Sequence, residues 1–269
     1  MRPHVAIAGI VNVTEDSFSD GGRWLDPSRA VEHALALVEA GADVIELGAA
    51  SSRPDATPVP PDEERRRLDP VLDALLGRVR VGVDSFATET QRHVLARGVS
   101  WLNDIQGFPD PALHPALAAS NATLVVMHSI QRRGIATRAH HDASRIVGDV
   151  VAFFRERVAA LTAAGVARER IVLDPGMGFF VGRDPGPSLA LLRAIPRLRQ
   201  SFGLPVLVSV SRKSFLGQIT GRRVPGRGPA TLAAELYAAR QGVDWVRTHD
   251  VAALRDALAI WSALEEETE

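Results

Sequence analysis

Eight short β-type runs separated by amphipathic helical stretches predict an α/β chain, folded as a (β/α)8 TIM barrel in a single domain over residues 1–269. The first observation is the alternation, one strand and one helix every ~20 to 45 residues, which is the spacing of parallel βαβ units. The second is the number. Eight units in about 250 residues suit a closed barrel, whereas the alternative, an open doubly wound sheet, usually needs fewer strands. The third is that polar or hydrogen-bonding residues stand where each run ends, as the mouth of a barrel requires.

Taken in order, Val5 to Val11 is followed by Asn12, and Asp43 to Leu47 carries Glu46 near its end. Val79 to Val83 precedes Asp84, and Trp101 with its neighbours precedes Asn103 and Asp104. Thr123 to Met127 ends at Met127 and His128, and Ile171 to Leu173 ends at Asp174. Pro205 to Val210 runs into Arg212 and Lys213, and Val243 to Val246 into Arg247 and His249. Between them, "SRAVEHALALVEAG", "TETQRHVLARG" and "GPATLAAELYAARQG" repeat apolar residues three and four apart and stop at glycine, as capped helices do. A carboxylate flanked by β-formers, as in "VGVDSF" and "IVLDPG", costs several kcal/mol to bury without partners, so a ring of such groups around a cavity calls for a polar ligand. Strands seven and eight of a barrel often hold phosphate, which places Lys213, Arg247 and His249 opposite an anion; the other reading of "SRKS" is a solvated turn.

Composition narrows the function classes. With 31 Lys+Arg against 32 Asp+Glu the formal charge is -1, so no global field favours nucleic acid or an anionic membrane. Cysteine is absent, which excludes disulfides, thiolate nucleophiles and cysteine-ligated metals. The opening "MRPHVAIAGIV" is too short in its apolar part for a signal sequence, and no run approaches ~18 apolar residues, so a cytoplasmic protein is expected.

The segments "GIVNVTEDSFSDGG", "IELGAASSRPDATPV", "VGVDSF", "LNDIQGF", "VVMHS", "IVLDPGMGF", "LVSVSRKSFLG" and "VRTHDV" resemble, in order, the blocks of dihydropteroate synthase, and most of all its sulfonamide-insensitive branch. The resemblance implies condensation of 6-hydroxymethyl-7,8-dihydropterin diphosphate with para-aminobenzoate, giving 7,8-dihydropteroate and pyrophosphate. It implies a pterin site of Asp84, Asn103, Met127, Asp174 and Lys213, with catalysis by Asp84, Lys213, Arg247 and His249. Asn12, Arg247 and His249 would meet the diphosphate, with Asn12 contacting a magnesium ion (Mg2+). The para-aminobenzoate side would be built from Ser52, Arg53, Pro54, Phe179, Ser214 and Phe215. Loops over residues 12–25 and 49–64 would be mobile and close over the diphosphate, and a homodimer is expected because the family commonly forms one. The implied chemistry is dissociative, needing no protein nucleophile; His249 would give either a proton or a hydrogen bond to the leaving group.

Departures from the common pattern gather on the outer ligand. Glu46 stands for Asp, Ala49-Ala50 for Gly-Glu, Asp55 for the glycine of "STRPG", and Phe179-Phe180-Val181 for Phe-Gly-Lys. Phe179, Phe180 and Phe215, with the rebuilt loop from Ala49 to Asp55, are therefore candidates for a wall that excludes sulfonamides, with plain packing as the other reading of Phe179 and Phe215. Arg65 to Arg67 read as a solvated helix face pairing with Glu63 and Glu64, and His140-His141 as an exposed loop rather than a zinc site. Arg222, Arg223, Arg227 and Arg212 make at most a weak nucleic-acid patch. The rival functions are a noncatalytic pterin-binding protein and a pterin-dependent methyltransferase domain.

Overall fold

The computed structural model of the chain describes residues 5–14 and 26–266. Its strands are β1 (Ala6–Asn12), β2 (Val44–Gly48), β3 (Val81–Asp84), β4 (Trp101–Asp104), β5 (Thr123–Met127), β6 (Ile171–Asp174), β7 (Leu207–Val208) and β8 (Trp245–Thr248). All pair in parallel in the order β6-β5-β4-β3-β2-β1-β8-β7. A parallel bridge between Leu173 and Val206 joins the two ends of that order and closes the barrel. The predicted (β/α)8 single-domain fold is the observed one. The predicted seventh run, Pro205 to Val210, pairs as a ladder only at Leu207 and Val208, because the chain beyond turns at Arg212, whose φ is 58°.

The helices that cover the barrel are α1 (Pro27–Glu39), α2 (Pro61–Leu75), α3 (Thr88–Ala96), α4 (His114–Ala119), α5 (Ile146–Ala163), α6 (Pro185–Arg193), α7 (Ile195–Phe202), α8 (Ser214–Thr220), α9 (Gly228–Arg240) and α10 (Val251–Glu266). Helix α1 starts at Asp26, whose side chain accepts from Ser28 N at 3.0 Å, and Pro27 follows in the first turn, where a missing N–H costs nothing. Helix α2 takes in residues 61–64 of the segment expected to be a loop. Of the expected first loop, residues 15–25 lie outside the described residues.

The two-residue period of each strand separates two cores. Ile7, Val11, Ile45, Leu47, Val83, Leu102, Leu173, Val208 and Val246 point outward into the layer beneath the helices. Ala8, Val44, Trp101, Val125, Val172 and Leu207 point inward and form the barrel floor, with Trp245 packed on them, its ring centroid 4.7 Å from that of Trp101. The floor depends on Gly82, where a Cβ would lie 2.5 Å from both the Cβ and the carbonyl oxygen of Trp101. Two residues further along the same inward face stand Glu46, Asp84, Asn103, Asp174 and Arg247, so the apolar floor is overlain by a polar layer.

Candidate active site

Strand period decides which edge residues reach the interior. Asp104 and His128 fall on the outward face. Asp104 accepts from Gln106 N at 2.7 Å, Phe108 N at 3.0 Å and Gln91 Nε2 at 2.9 Å, and so organises the loop after β4 rather than the mouth. His128 packs edge-on against Phe153 of α5, and burial pulls its imidazole down to about 4.

In the interior, Arg247 donates through Nη2 to Asp84 Oδ2 at 3.0 Å and through Nε to Glu46 Oε1. Glu46 also accepts from Trp101 Nε1 at 2.8 Å and from Asn103 Nδ2 at 3.3 Å. Burial raises the Asp84 carboxyl to about 7, with Arg247 opposing the shift and Glu46 adding to it. Burial likewise raises Asp174 to about 6, although Gly176 N donates to it at 2.8 Å, and burial lowers the Lys213 ammonium to about 8. Such opposed shifts in one small region mark groups held out of water and able to exchange charge with a ligand.

Above this layer opens a cavity of about 360 Å³. Asp84, Lys213, Arg247, His249 and Asn12 line it, as do Ser52, Arg53, Pro54, Phe179 and Ser214 from the predicted outer site. Asn103 (2 % exposed), Met127 (5 %) and Asp174 (1 %) sit deeper and are not on its surface. Two buried polar atoms next to it lack a partner among the described residues, Asn103 Oδ1 and Ser214 Oγ, as expected of atoms that a ligand satisfies. His249 Nδ1 shares a hydrogen bond of 2.8 Å with Ser211 Oγ, and burial beside Arg212, Arg247 and Lys213 keeps its imidazole well below the usual range, hence neutral.

Several expectations are corrected. The magnesium ion expected at Asn12 is overturned, because among the described residues no group of three or more His, Cys, Asp or Glu side chains comes together to hold a metal. A lone carboxamide oxygen is a poor substitute for the several oxygen ligands a hard cation takes. Phe215 does not border the cavity; at 1 % exposed it belongs to the outer core. Phe180 does border it, with Lys213 Nζ 4.8 Å from its ring centroid. Glu64 is not a surface partner of the arginines but a buried acceptor for Ser85 Oγ at 2.7 Å, while Arg66 and Arg67 both pair with Glu63. Arg227 is tied to the turn rather than offered to nucleic acid, donating to the carbonyl of Arg212 at 2.9 Å. His140 and His141 pair separately with Asp184 and Asp149.

The segment after β5 was missed. Ala136 lines the cavity, and its N–H donates to the Ser52 carbonyl at 2.9 Å. Arg138 pairs with Asp55 and lies 5.7 Å from the Phe179 ring centroid. Asp55 keeps a left-handed backbone, φ 66°, at the position where the common pattern has glycine. No periodicity or motif in "IQRRGIATRAHH" announces these contacts, which depend on where two other loops arrive.

A family model described as "Pterin binding enzyme" matches residues 8–249. The dihydropteroate synthase type-2 of Escherichia coli is 55% identical over 267 residues, covering 99% of this chain and 98% of that protein. The chain belongs to the dihydropteroate synthase family. Among solved members, the Xanthomonas albilineans enzyme with 4-aminobenzoic acid superposes with a TM-score of 0.87 at 39% identity, covering 97% of this chain and 93% of that one. The Burkholderia cenocepacia dihydropteroate synthase complexed with 7,8-dihydropteroate gives 0.85 at 33% identity, over 98% and 92% of the two chains.

Proposed function

We propose that this dihydropteroate synthase condenses 6-hydroxymethyl-7,8-dihydropterin diphosphate with para-aminobenzoate to form 7,8-dihydropteroate and pyrophosphate. The observation that carries the reading is the inward layer of Asp84, Asn103, Asp174, Lys213 and Arg247 beneath a cavity whose rim is built from Ser52, Arg53, Pro54 and Phe179. Carboxylates and an amide in fixed directions suit the donor edge of a flat heterocycle, and related enzymes hold 4-aminobenzoic acid and 7,8-dihydropteroate.

In the reaction, the bond from the pterin methylene to the diphosphate oxygen breaks, and its electron pair leaves with pyrophosphate. The arylamine nitrogen then bonds the methylene carbon and gives up one proton. Asp84, as a carboxylate, stabilises positive charge developing on the pterin, while Arg247 stabilises the departing anion and Lys213 holds the pterin. A neutral His249 offers the diphosphate a hydrogen bond instead of a charge. The aniline is already unprotonated near neutrality, so no strong base is required. Closure of the loop carrying Ser52 and Arg53 would keep water from the cation.

Low sulfonamide sensitivity is the finer part of the proposal. Phe179 and Phe180 sit on the cavity wall, and bulk at the outer end of the aniline would exclude a tetrahedral sulfonyl substituent that extends beyond a planar carboxylate. A homodimer is also proposed: α9 and α10 expose a groove of Leu232, Leu236 and Trp261, with Ile260 64% and Leu264 69% exposed. Sedimentation showing only a 28.9 kDa species would remove the dimer from the account. The function itself is tested by expressing the chain in bacteria deprived of their own synthase. Growth without added folate end-products is expected, and no growth despite soluble protein favours the noncatalytic alternative.

A further inference from the structure

Arg247 is held by two carboxylates that differ in reach. The Asp84 side chain is 18% exposed and lines the cavity, whereas that of Glu46 is 0% exposed and does not. Glu46, on β2, gathers three donors from two other strands: Arg247 Nε on β8, and Trp101 Nε1 and Asn103 Nδ2 on β4. Of these four residues only Arg247 lines the cavity.

Two consequences follow for Asn103, just beneath the cavity, and for Asp84, which lines it. With its Nδ2 turned to Glu46, Asn103 has only Oδ1 left to offer, the buried atom without a partner among the described residues. Asp84 can release Arg247 when donors of a ligand replace it, because Glu46 still neutralises the guanidinium; a buried guanidinium stripped of its counter-charge is strongly destabilised.

We propose that Glu46 is a positioning residue, the standing counter-ion that fixes Arg247 and the Asn103 amide and so leaves Asp84 free for the pterin. This rests on the function proposed above. Glutamine at this position would keep the shape but lose the charge, and its NH2 group would face the donors of Arg247, Trp101 or Asn103. Arg247 would then depend on Asp84 alone, and a pterin would have to compete for that carboxylate.

The test is calorimetric binding of 6-hydroxymethyl-7,8-dihydropterin, which has no phosphate, to the parent, Glu46→Gln, Asp84→Asn, the double variant and Glu46→Asp. Glu46→Gln is expected to weaken binding about 10-fold or more, and the double variant to bind within about 3-fold of Asp84→Asn alone, because the two positions act through one guanidinium. Glu46→Asp keeps the charge and is expected within about 3-fold of the parent, so it serves if the glutamine variant does not fold. Multiplying losses in the double variant, as a merely structural role would give, overturn the proposal. So does a ~10-fold loss in Glu46→Asp, or a folded Glu46→Gln that binds like a binding-competent parent. A parent that binds no pterin overturns the proposed function as well, which separates the two failures.

Discussion

Arg247 donates its Nη2–H to Asp84 Oδ2 at 3.0 Å, joining across the barrel mouth a strand-eight cation to the strand-three carboxylate proposed to face the reacting carbon. The site is therefore internally paired, so a ligand that engages Asp84 exchanges that pairing for its own.

Asp84→Asn and Asp174→Asn are expected to separate chemistry from binding. Asp84 lines the cavity, while Asp174 is 1% exposed and fixed by Gly176 N. Asp174→Asn should chiefly raise the pterin Kd. Asp84→Asn should lower kcat by about 10²-fold or more, a larger factor than its loss of pterin affinity. Equal losses of affinity with unchanged saturated turnover would contradict the division.

Arg247→Ala and Lys213→Ala are expected to differ in what they recognise. Arg247→Ala should weaken the pterin diphosphate more than the free hydroxymethyl pterin, by an extra factor of ~10, the scale of one charge-assisted contact. Lys213→Ala should weaken both ligands, since its ammonium interacts with Asp174 and Asp84 at the pterin level. Two affinities per variant suffice; an Arg247→Ala protein that discriminates as the parent does removes the anion role.

Stability should fall as pH rises from about 6.5 to 8. Burial raises Glu235 to about 8, so in this window the folded chain holds a proton that the unfolded chain has lost. Fewer protons bound in the unfolded state means stability decreasing with pH, by at most ~1.4 kcal/mol per unit for one such group. Urea unfolding at the two pH values should show a smaller drop for Glu235→Gln than for the parent. Parallel behaviour would show that Glu235 does not carry this dependence.

The proposed low sulfonamide sensitivity should depend on the wall, not on the core. Phe179→Gly or Phe180→Gly is expected to raise sulfamethoxazole inhibition by about 10²-fold, equivalent to ~3 kcal/mol, while turnover persists. Phe215→Ala should instead lose about 3 kcal/mol of stability as a buried aromatic and leave drug discrimination unchanged. A sensitive parent, or two folded wall variants that stay resistant, would contradict this.

The barrel was readable because its signal is local: each strand is a short β-branched run and each polar end lies beside it. The side of the sheet is legible too from the two-residue period extended one step past each run, since Asp84 and Asp174 share parity with the floor whereas Asp104 and His128 do not. The Glu46–Arg247 pair could not be read, because its members are 201 residues apart and meet only through barrel closure. Phe215 misled because proximity to "SRKS" in sequence is undone by α8, whose first turn rotates the ring into the outer core. Ala136 and Arg138 depend on three loops converging, and carry no pattern of their own.

The most direct measurement is product analysis with the purified chain, 6-hydroxymethyl-7,8-dihydropterin diphosphate and labelled para-aminobenzoate. The account predicts equal amounts of 7,8-dihydropteroate and pyrophosphate, with both lost together in Asp84→Asn. Pyrophosphate release without dihydropteroate, or product formation indifferent to Asp84→Asn, would contradict it.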